Sequence, residues 1–338
     1  MPLDVVAVVA LALFFALNIG MSGVAASMAQ AYGAGALPRR VALGLAAVFV
    51  ILGGILQGRP VIETIGRGIV PPDVWSLPLV AVALGAAALS LFSANLMRVP
   101  LSTSQVTVGA LVGVALAMGV LQVHLLQRIL LAWLLLPSLA LAGSFTFGRW
   151  VYPVLSRALD RLPARHACRR AMWLLLVLTG CYEAYAAGTN NLANAVGPLL
   201  GAGIVDATTG MWLGALFFGA GALLGGGVLE TNAKRITSLC PIQGSFNCLW
   251  TGTLVVVAST LGLPVPLTQV STCCIIGMGW GKPGRDTLQV ATVKRVARVW
   301  VLSPVVSVLV ALLLITALEL NAGLAGAAPP PAGPPASP

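Results

Sequence analysis

From Ala184 to Gly201 the chain reads "AYAAGTNNLANAVGPLLG", in which Thr189, Asn190, Asn191 and Asn194 stand as uncharged hydrogen-bonding groups among alanine and leucine. In apolar surroundings each such group is costly unless protein, water or a ligand satisfies it. Three further clusters share this character: Asn18, Ser22 and Ser27 in "ALNIGMSGVAASMAQ"; Ser102, Thr103, Ser104, Gln105 and Thr107; and Thr268, Gln269, Ser271 and Thr272. Each contains or follows Gly or Pro, which interrupt helices and free backbone N–H groups. A half-helix N-terminus aimed into a cavity carries partial positive charge, and together with Ser, Thr and Asn donors it suits an anion without any Lys or Arg in the span. An isolated Ser or Thr in a membrane helix more often bonds the carbonyl one turn back. Clustering, and the pairing of the clusters described below, favour ligand lining for the set.

The elements that must position these residues are membrane helices. The chain has 338 residues, 58% hydrophobic and 8% charged, where a soluble domain carries roughly 25% charged residues. Apolar runs of about 18 residues recur near 41–58, 76–97, 102–121, 125–148, 171–204, 207–229, 247–262, 264–281 and 296–317. The opening run from Val5 to about Leu37 has no basic residue before it, and its apolar character continues far past any plausible cleavage site, so it is expected to stay in the mature fold. The net charge of +10 does not point to nucleic acid, because the basic residues lie between apolar runs and do not alternate with aromatics. They are sided instead. With both termini outside the cytoplasm, Arg39, Arg40, Arg98, Arg149, Arg157, Arg161, Arg165, Arg169, Arg170, Lys234, Arg235, Lys282, Arg285, Lys294, Arg295 and Arg298 fall inside; of the 19 basic residues, Arg59, Arg67 and Arg128 remain outside. That is the asymmetry of a multi-pass protein of the cell inner membrane. The cysteines show no metal-ligand spacing and read as small core residues.

Self-comparison shows a duplication. "GMSGVAAS" from Gly20 falls on "GTNNLANA" from Gly188, Val61-Ile62-Glu63-Thr64 on Val228-Leu229-Glu230-Thr231, and "PLSTSQVTVGALVG" from Pro100 on "PVPLTQVSTCCIIG" from Pro264. The expected fold is an all-α integral membrane protein of two inverted-topology repeats, each of about five transmembrane segments, with broken helices at the centre. The boundaries are 1–148 for the first repeat, 149–170 for a basic cytoplasmic linker, 171–320 for the second repeat and 321–338 for a disordered Ala/Gly/Pro tail. An odd number of crossings inverts the second copy, the usual architecture of secondary transporters, whose site lies where broken helices of the two halves meet. An enzyme would need a catalytic carboxylate pair, a His/Glu metal set or a Ser/His dyad, and none is apparent in the spans.

Glu183 is the carboxylate set deepest in an apolar run, and the penalty for burying its charge favours a protonated form able to carry a proton. Glu63 and Glu230, at matched positions beside basic residues, read as structural groups at helix ends. His124 and His166 are lone loop histidines.

"GTNNLANA" with Gly197-Pro198 resembles the G-A/S-N-D-x-A-N signature of the inorganic phosphate transporter family, and "VPLSTSQVTVGALVG" resembles that family's P-V-S-T-T-H-x-I-x-G signature. The resemblance spans almost all of residues 1–320. It implies an anion permease with inverted repeats, usually a homodimer, coupled to sodium or protons. Where the family has Asn-Asp in each half, this chain has Ser22-Gly23 and Asn190-Asn191; where it has histidine, this chain has Gln105 and Gln269. "ALNIGMSGVAAS" is similar to the bacterial sulfate permeases within that family. Phosphate keeps a proton near neutral pH and profits from a carboxylate acceptor, whereas sulfate only accepts and is repelled by one. The expected substrate is therefore sulfate or a related oxyanion, with inorganic phosphate as the alternative. An inside-negative potential opposes entry of a dianion by roughly 4.6 kcal/mol per 100 mV, so uptake needs co-transported cations. Loss of the signature aspartates favours a proton over sodium; no resident cofactor or metal is expected.

Overall fold

Apolar side chains face outward in this protein. In the computed structural model, which describes residues 2–96, 101–161, 165–227, 229–230, 239–281 and 290–326, Leu134, Val301 and Leu313 are each about 70% exposed while Asn190 and Asn194 are fully buried. This distribution, the reverse of a water-soluble domain, is what lipid as a solvent demands.

In the first half, α1 (Leu3–Gly23) leads through a 3-10 turn into the short α2 (Ala29–Gly33), followed by α3 (Arg39–Gln57), α4 (Arg59–Glu63), α5 (Leu77–Leu96), α6 (Thr103–Ala117) and α7 (Val123–Thr146), which continues through a π turn into α8 (Tyr152–Asp160). The second half has α9 (Arg165–Asn191), α10 (Ala193–Gly201), α11 (Ala207–Leu224), α12 (Pro241–Thr260), α13 (Leu267–Gly281) and α14 (Val290–Gly326). Among the described residues there is no strand. Six helical stretches among the described residues, Leu3–Gly23, Arg39–Gln57, Val123–Leu159, Arg169–Gly201, Ala207–Leu224 and Arg298–Leu320, are long and apolar enough to cross a membrane. The expected linker 149–170 is helical on both sides of 162–164, which lie outside the described residues, and α14 runs past the expected start of the tail. The tail beyond 326 and the segment 282–289 also lie outside them.

Local sequence explains where helices begin. Ser102 caps α6, its hydroxyl accepting from Gln105 N–H (3.4 Å); Asp206 caps α11 through the N–H groups of Thr208 and Thr209, both at 3.0 Å. Pro241 occupies the first turn of α12, where its missing N–H is harmless.

The duplication is literal. Gly35 and Gly203 occupy matched positions with φ of 70° and 65°, and each closes its helix by the same pattern, Ala36 N–H to Ala31 O and Ile204 N–H to Leu199 O, both 3.0 Å. The left-handed backbone there is one that side chains disfavour. The second copy is inverted, because α3 packs against its own repeat mate α11 in antiparallel fashion: Gly54 meets Ala215, Ile51 and Ala47 meet Gly219, and Arg39 meets Gly226. The close helix contacts obey the same symmetry. A Cβ on Gly20 would strike Phe218 O and one on its mate Gly188 would strike Val50 O, while Gly221 lies on Leu17 O and its mate Gly53 on Tyr185 O. Small residues allow this backbone approach, the main source of helix association in lipid.

The halves interlock further out. Helix α6 of the first runs beside α14 of the second, with Gly109 on Pro304 and Gly113 on Val308, and α13 of the second runs beside α7 of the first, with Gly277 on Leu141. The starts of α6 and α13 therefore lie at the junction of the two repeats.

Candidate functional site

The helix that begins at Arg165 breaks at Leu192, between α9 and α10, and the polar residues of "GTNNLAN" flank the break. Beside it come the first turn of α6 and the loop that opens α13. Ser104 Oγ donates to Val265 O (2.9 Å) and lies 3.3 Å from Asn191 Oδ1, so one hydroxyl ties together α6, α9 and the approach to α13. Asn194 of α10 reaches Thr103 Oγ1 at 3.4 Å. Gln105 accepts from Ser303 Oγ of α14 at 3.0 Å. Ser102, Thr103, Ser104, Gln105, Asn191 and Asn194 are all buried, and no carboxylate is among them.

The four residues around the break do different work. Asn190 is fully engaged by the protein: Nδ2 donates to Ser259 Oγ (2.9 Å) and Leu263 O (3.0 Å), and Oδ1 accepts Val265 N–H (2.8 Å). It clamps the α12–α13 loop, and both of its Nδ2 hydrogens are engaged there. Thr189 shares its hydroxyl between Ala186 O (2.8 Å) and Ser259 Oγ (3.0 Å) and is likewise occupied. Asn194 is the opposite case, since its Oδ1 is buried without a partner. Turning that amide end for end keeps the Thr103 contact, with Thr103 donating to Oδ1, and presents Nδ2 to a ligand instead. Thr268 Oγ1, at the start of α13, is also buried and unpartnered, and Gln269 beside it is 4% exposed.

The first-half cluster is not drawn into this site by any bond. Asn18 Nδ2 donates to Phe14 O (3.0 Å), Ser22 Oγ to Asn18 O (2.9 Å) and Ser27 Oγ to Val24 O (2.7 Å). Each satisfies a carbonyl of its own helix or turn, the ordinary habit of polar residues in membrane helices. Ser27 instead borders Glu183: its carbonyl faces the Cys248 thiol at 3.9 Å, and Cys248 and Ser271 face the Glu183 carboxyl. Glu183 is 5% exposed and stands two turns before Asn190 on the same side of α9, about 10 Å away along the axis. Glu63 and Glu230 pair with Arg59 and Arg39, both at 2.8 Å, as their positions suggested.

The sequence does not single out Ser259, in "VVVAST", or Ser303, in "VLSPVVSV"; the hydroxyl of Ser259 becomes the hub for Thr189 and Asn190 only through folding. An open recess of about 620 Å³, lined by Pro60, Glu63, Thr64, Arg67, Leu125 and residues 260–262, lies over this hub, since Gly262 directly precedes the Leu263 that Asn190 holds. The arrangement offers hydroxyl and amide groups and the first amides of α6, which have no intrahelical acceptor. These are groups of the kind that hydrogen-bond an acceptor, and no carboxylate is among them.

Known proteins resemble this chain in sequence and in fold. The pattern of the Phosphate transporter family matches twice, over residues 19–174 and 156–311. The chain is 42% identical over 315 residues to the sulfate permease CysP of Bacillus subtilis (strain 168), covering 92% of this chain and 87% of that protein. It is 26% identical to the putative phosphate permease PF1020 of Pyrococcus furiosus, covering 77% and 83%. Among solved structures, the sodium-dependent phosphate transporter has the same fold, with a TM-score of 0.82, 24% identity, and coverage of 94% of this chain and 99% of that one.

Proposed function

The chain belongs to the phosphate transporter family, and from that premise we propose that it imports sulfate across the cytoplasmic membrane by proton symport, with Glu183 as the proton carrier. The observation that carries the reading is the buried, carboxylate-free donor set where α6, α10 and α13 meet. Ser102, Thr103, Ser104, Gln105, Asn191, Asn194, Thr268 and Gln269 line the anion, while Asn190 and Thr189 hold the α12–α13 loop in place around it. Sulfate presents acceptors alone, so hydroxyls, amides and helix N-terminal N–H groups suit it, and a protonated phosphate finds no carboxylate to receive its proton. The 42% identity to a protein named as a sulfate permease supports the same choice, although relatives named as phosphate permeases share the fold.

Coupling follows from charge. A dianion entering alone works against the membrane potential, and Glu183, buried beside Cys248 and Ser271, is placed to carry one proton inward as the neutral acid, release it inside and return as the carboxylate; full charge balance takes at least two protons per sulfate. Sodium would instead need the neutral oxygens of Asn, Ser and Thr.

The test is uptake of labelled sulfate into proteoliposomes under separately imposed proton and sodium gradients, with unlabelled phosphate as competitor. A pH gradient alone should drive accumulation, and phosphate should compete at least tenfold more weakly than sulfate. Glu183→Gln should keep sulfate exchange and lose concentrative uptake. Equal competition by phosphate refutes the substrate, and accumulation driven by sodium alone refutes the proton.

A further inference from the structure

Helix α12 carries two sets of polar side chains, and the site above uses one. Ser259, near its end, is taken up by Thr189 and Asn190. Those on its first three turns do not join that site: Ser245 Oγ donates to Pro241 O (2.8 Å) and Thr251 Oγ1 to Cys274 Sγ (3.4 Å), and the two amides are left. Asn247 is wholly buried, and neither its Nδ2 nor its Oδ1 has a protein partner. One turn earlier Gln243 is 1% exposed with its Nε2 unpartnered. Gln30 of α2 lies against Gly244 between them, its Oε1 equally buried and unpaired. An amide with both ends unsatisfied is among the most expensive groups to leave in a membrane interior. Water satisfies donor and acceptor together, whereas a bare cation would leave the Nδ2 and Nε2 hydrogens facing like charge.

Spacing gives the set a direction. Gln243, Asn247 and Thr251 stand four residues apart and so form one stripe, about 12 Å long. The stripe runs from the end of the helix at Cys240 to the level of Glu183, which the neighbouring Cys248 faces. Among the described residues the titratable groups facing Glu183 are the thiols of Cys248 and Cys274; no cation opposes it.

The duplication supplies a control. The first-half counterparts, 164 positions earlier on α5 (Leu77 matching Pro241), are Leu79, Ala83 and Ala87, and the counterpart of Glu183 on α1 is Phe15. The fold is built without polarity at these positions, so the stripe is not a requirement of the architecture. It accompanies the carboxylate.

We propose that the Gln243–Asn247–Thr251 stripe, with Gln30, is a hydrated half-channel joining the Glu183 carboxyl to the membrane face where α12 begins, and that the coupling proton travels along it. This rests on the proton-symport reading above. The adjoining sequence carries Lys234 and Arg235, which marks that face as cytoplasmic by the positive-inside rule. Protons move by relay: the carboxyl O–H breaks as its proton passes to a water, another proton leaves the file at its far end so that the waters end unchanged, and the carboxylate regains a proton from the opposite side in the next cycle.

The experiment uses the full chain in oriented proteoliposomes. Asn247→Cys and, as a buried apolar control on the same helix, Val255→Cys are exposed to a small cationic thiosulfonate from the side where α12 starts, and modification is read at each residue by mass spectrometry. Residue 247 should react at least tenfold faster than residue 255; equal rates overturn the hydrated channel. In the transport arm, Asn247→Leu should slow pH-driven uptake at least tenfold and leave the KM of sulfate exchange at equal pH unchanged, with Asn247→Ser restoring most of the rate. Unchanged pH-driven uptake in Asn247→Leu overturns the proton route even where labelling is fast, and the labelling arm decides the case where that variant fails to fold. Accumulation surviving in Glu183→Gln refutes the symport reading and with it the route's endpoint, while the labelling result stands apart.

Discussion

Asn190 and Asn194 lie four residues apart on one broken helix, yet the structure predicts opposite consequences for their removal. Asn190→Ala deletes bonds to Val265 N–H, Leu263 O and Ser259 Oγ at 2.8, 3.0 and 2.9 Å. Taking about 0.6 kcal/mol for an average interhelical bond in a membrane and about 1 kcal/mol for a typical intramolecular one, three bonds amount to about 2 to 3 kcal/mol of stability. That is a lower bound, because a buried Val265 N–H is left stranded. Asn194→Ala gives up one long contact at 3.4 Å and should cost little stability, but it removes the group whose free end is proposed above to meet the anion. A lost bond to a charged ligand is worth about 1.5 to 3 kcal/mol, hence about ten- to a hundredfold in sulfate Kd. The assays are detergent-titrated unfolding without sulfate, and sulfate binding to the folded fraction by calorimetry. Asn190→Ala should shift the unfolding midpoint with Kd close to normal in the protein that remains folded; Asn194→Ala should do the reverse. If Asn190→Ala weakens binding tenfold at unchanged stability, the clamp assignment is wrong and Asn190 belongs among the ligands.

Asp206 is held below the usual carboxylate range, first by hydrogen bonds from Thr209. A depressed native value means that its cap on α11 contributes fully above the unfolded value near 3.9 and is lost as pH falls through the native one. The stability difference between the protein and Asp206→Ala should therefore narrow below about pH 4 in unfolding titrations, and a difference constant from pH 3 to 7 would refute it. Gly20→Val and Gly188→Val should damage folding alike, each by at least about 1 to 3 kcal/mol, because each drives a side chain into a carbonyl of the facing helix at symmetric places; comparable loss of folded protein by size exclusion is the check. A cysteine placed at exposed Arg161, between the repeats, should be labelled by an impermeant maleimide only from the cytoplasmic side, and labelling from outside would contradict the inverted orientation.

Much of this molecule is legible in one dimension because lipid asks local questions. A span must be apolar for about 20 residues and must satisfy its own backbone, so composition alone establishes the membrane class. A duplicated unit leaves matched motifs, from Gly20 with Gly188 to Pro100 with Pro264, which the fold realises as inverted halves. The groups at Thr189 to Asn194 and Ser102 to Gln105 are visible as costs that something must offset. What offsets each cost is decided by residues 70 to 200 positions away, and no local pattern encodes that. Asn190 and Asn194 differ because the α12–α13 loop folds against one and not the other; Ser259 and Ser303 matter because of the hydroxyl and amide they meet across the junction; Asn18, Ser22 and Ser27 bond carbonyls of their own helix turns. Gln243 and Asn247 do not stand out in the sequence because four-residue spacing separates them by Gly244, Ser245 and Phe246 within a mostly apolar helix. Only packing, by burying them together with no partner, turns that spacing into a stripe.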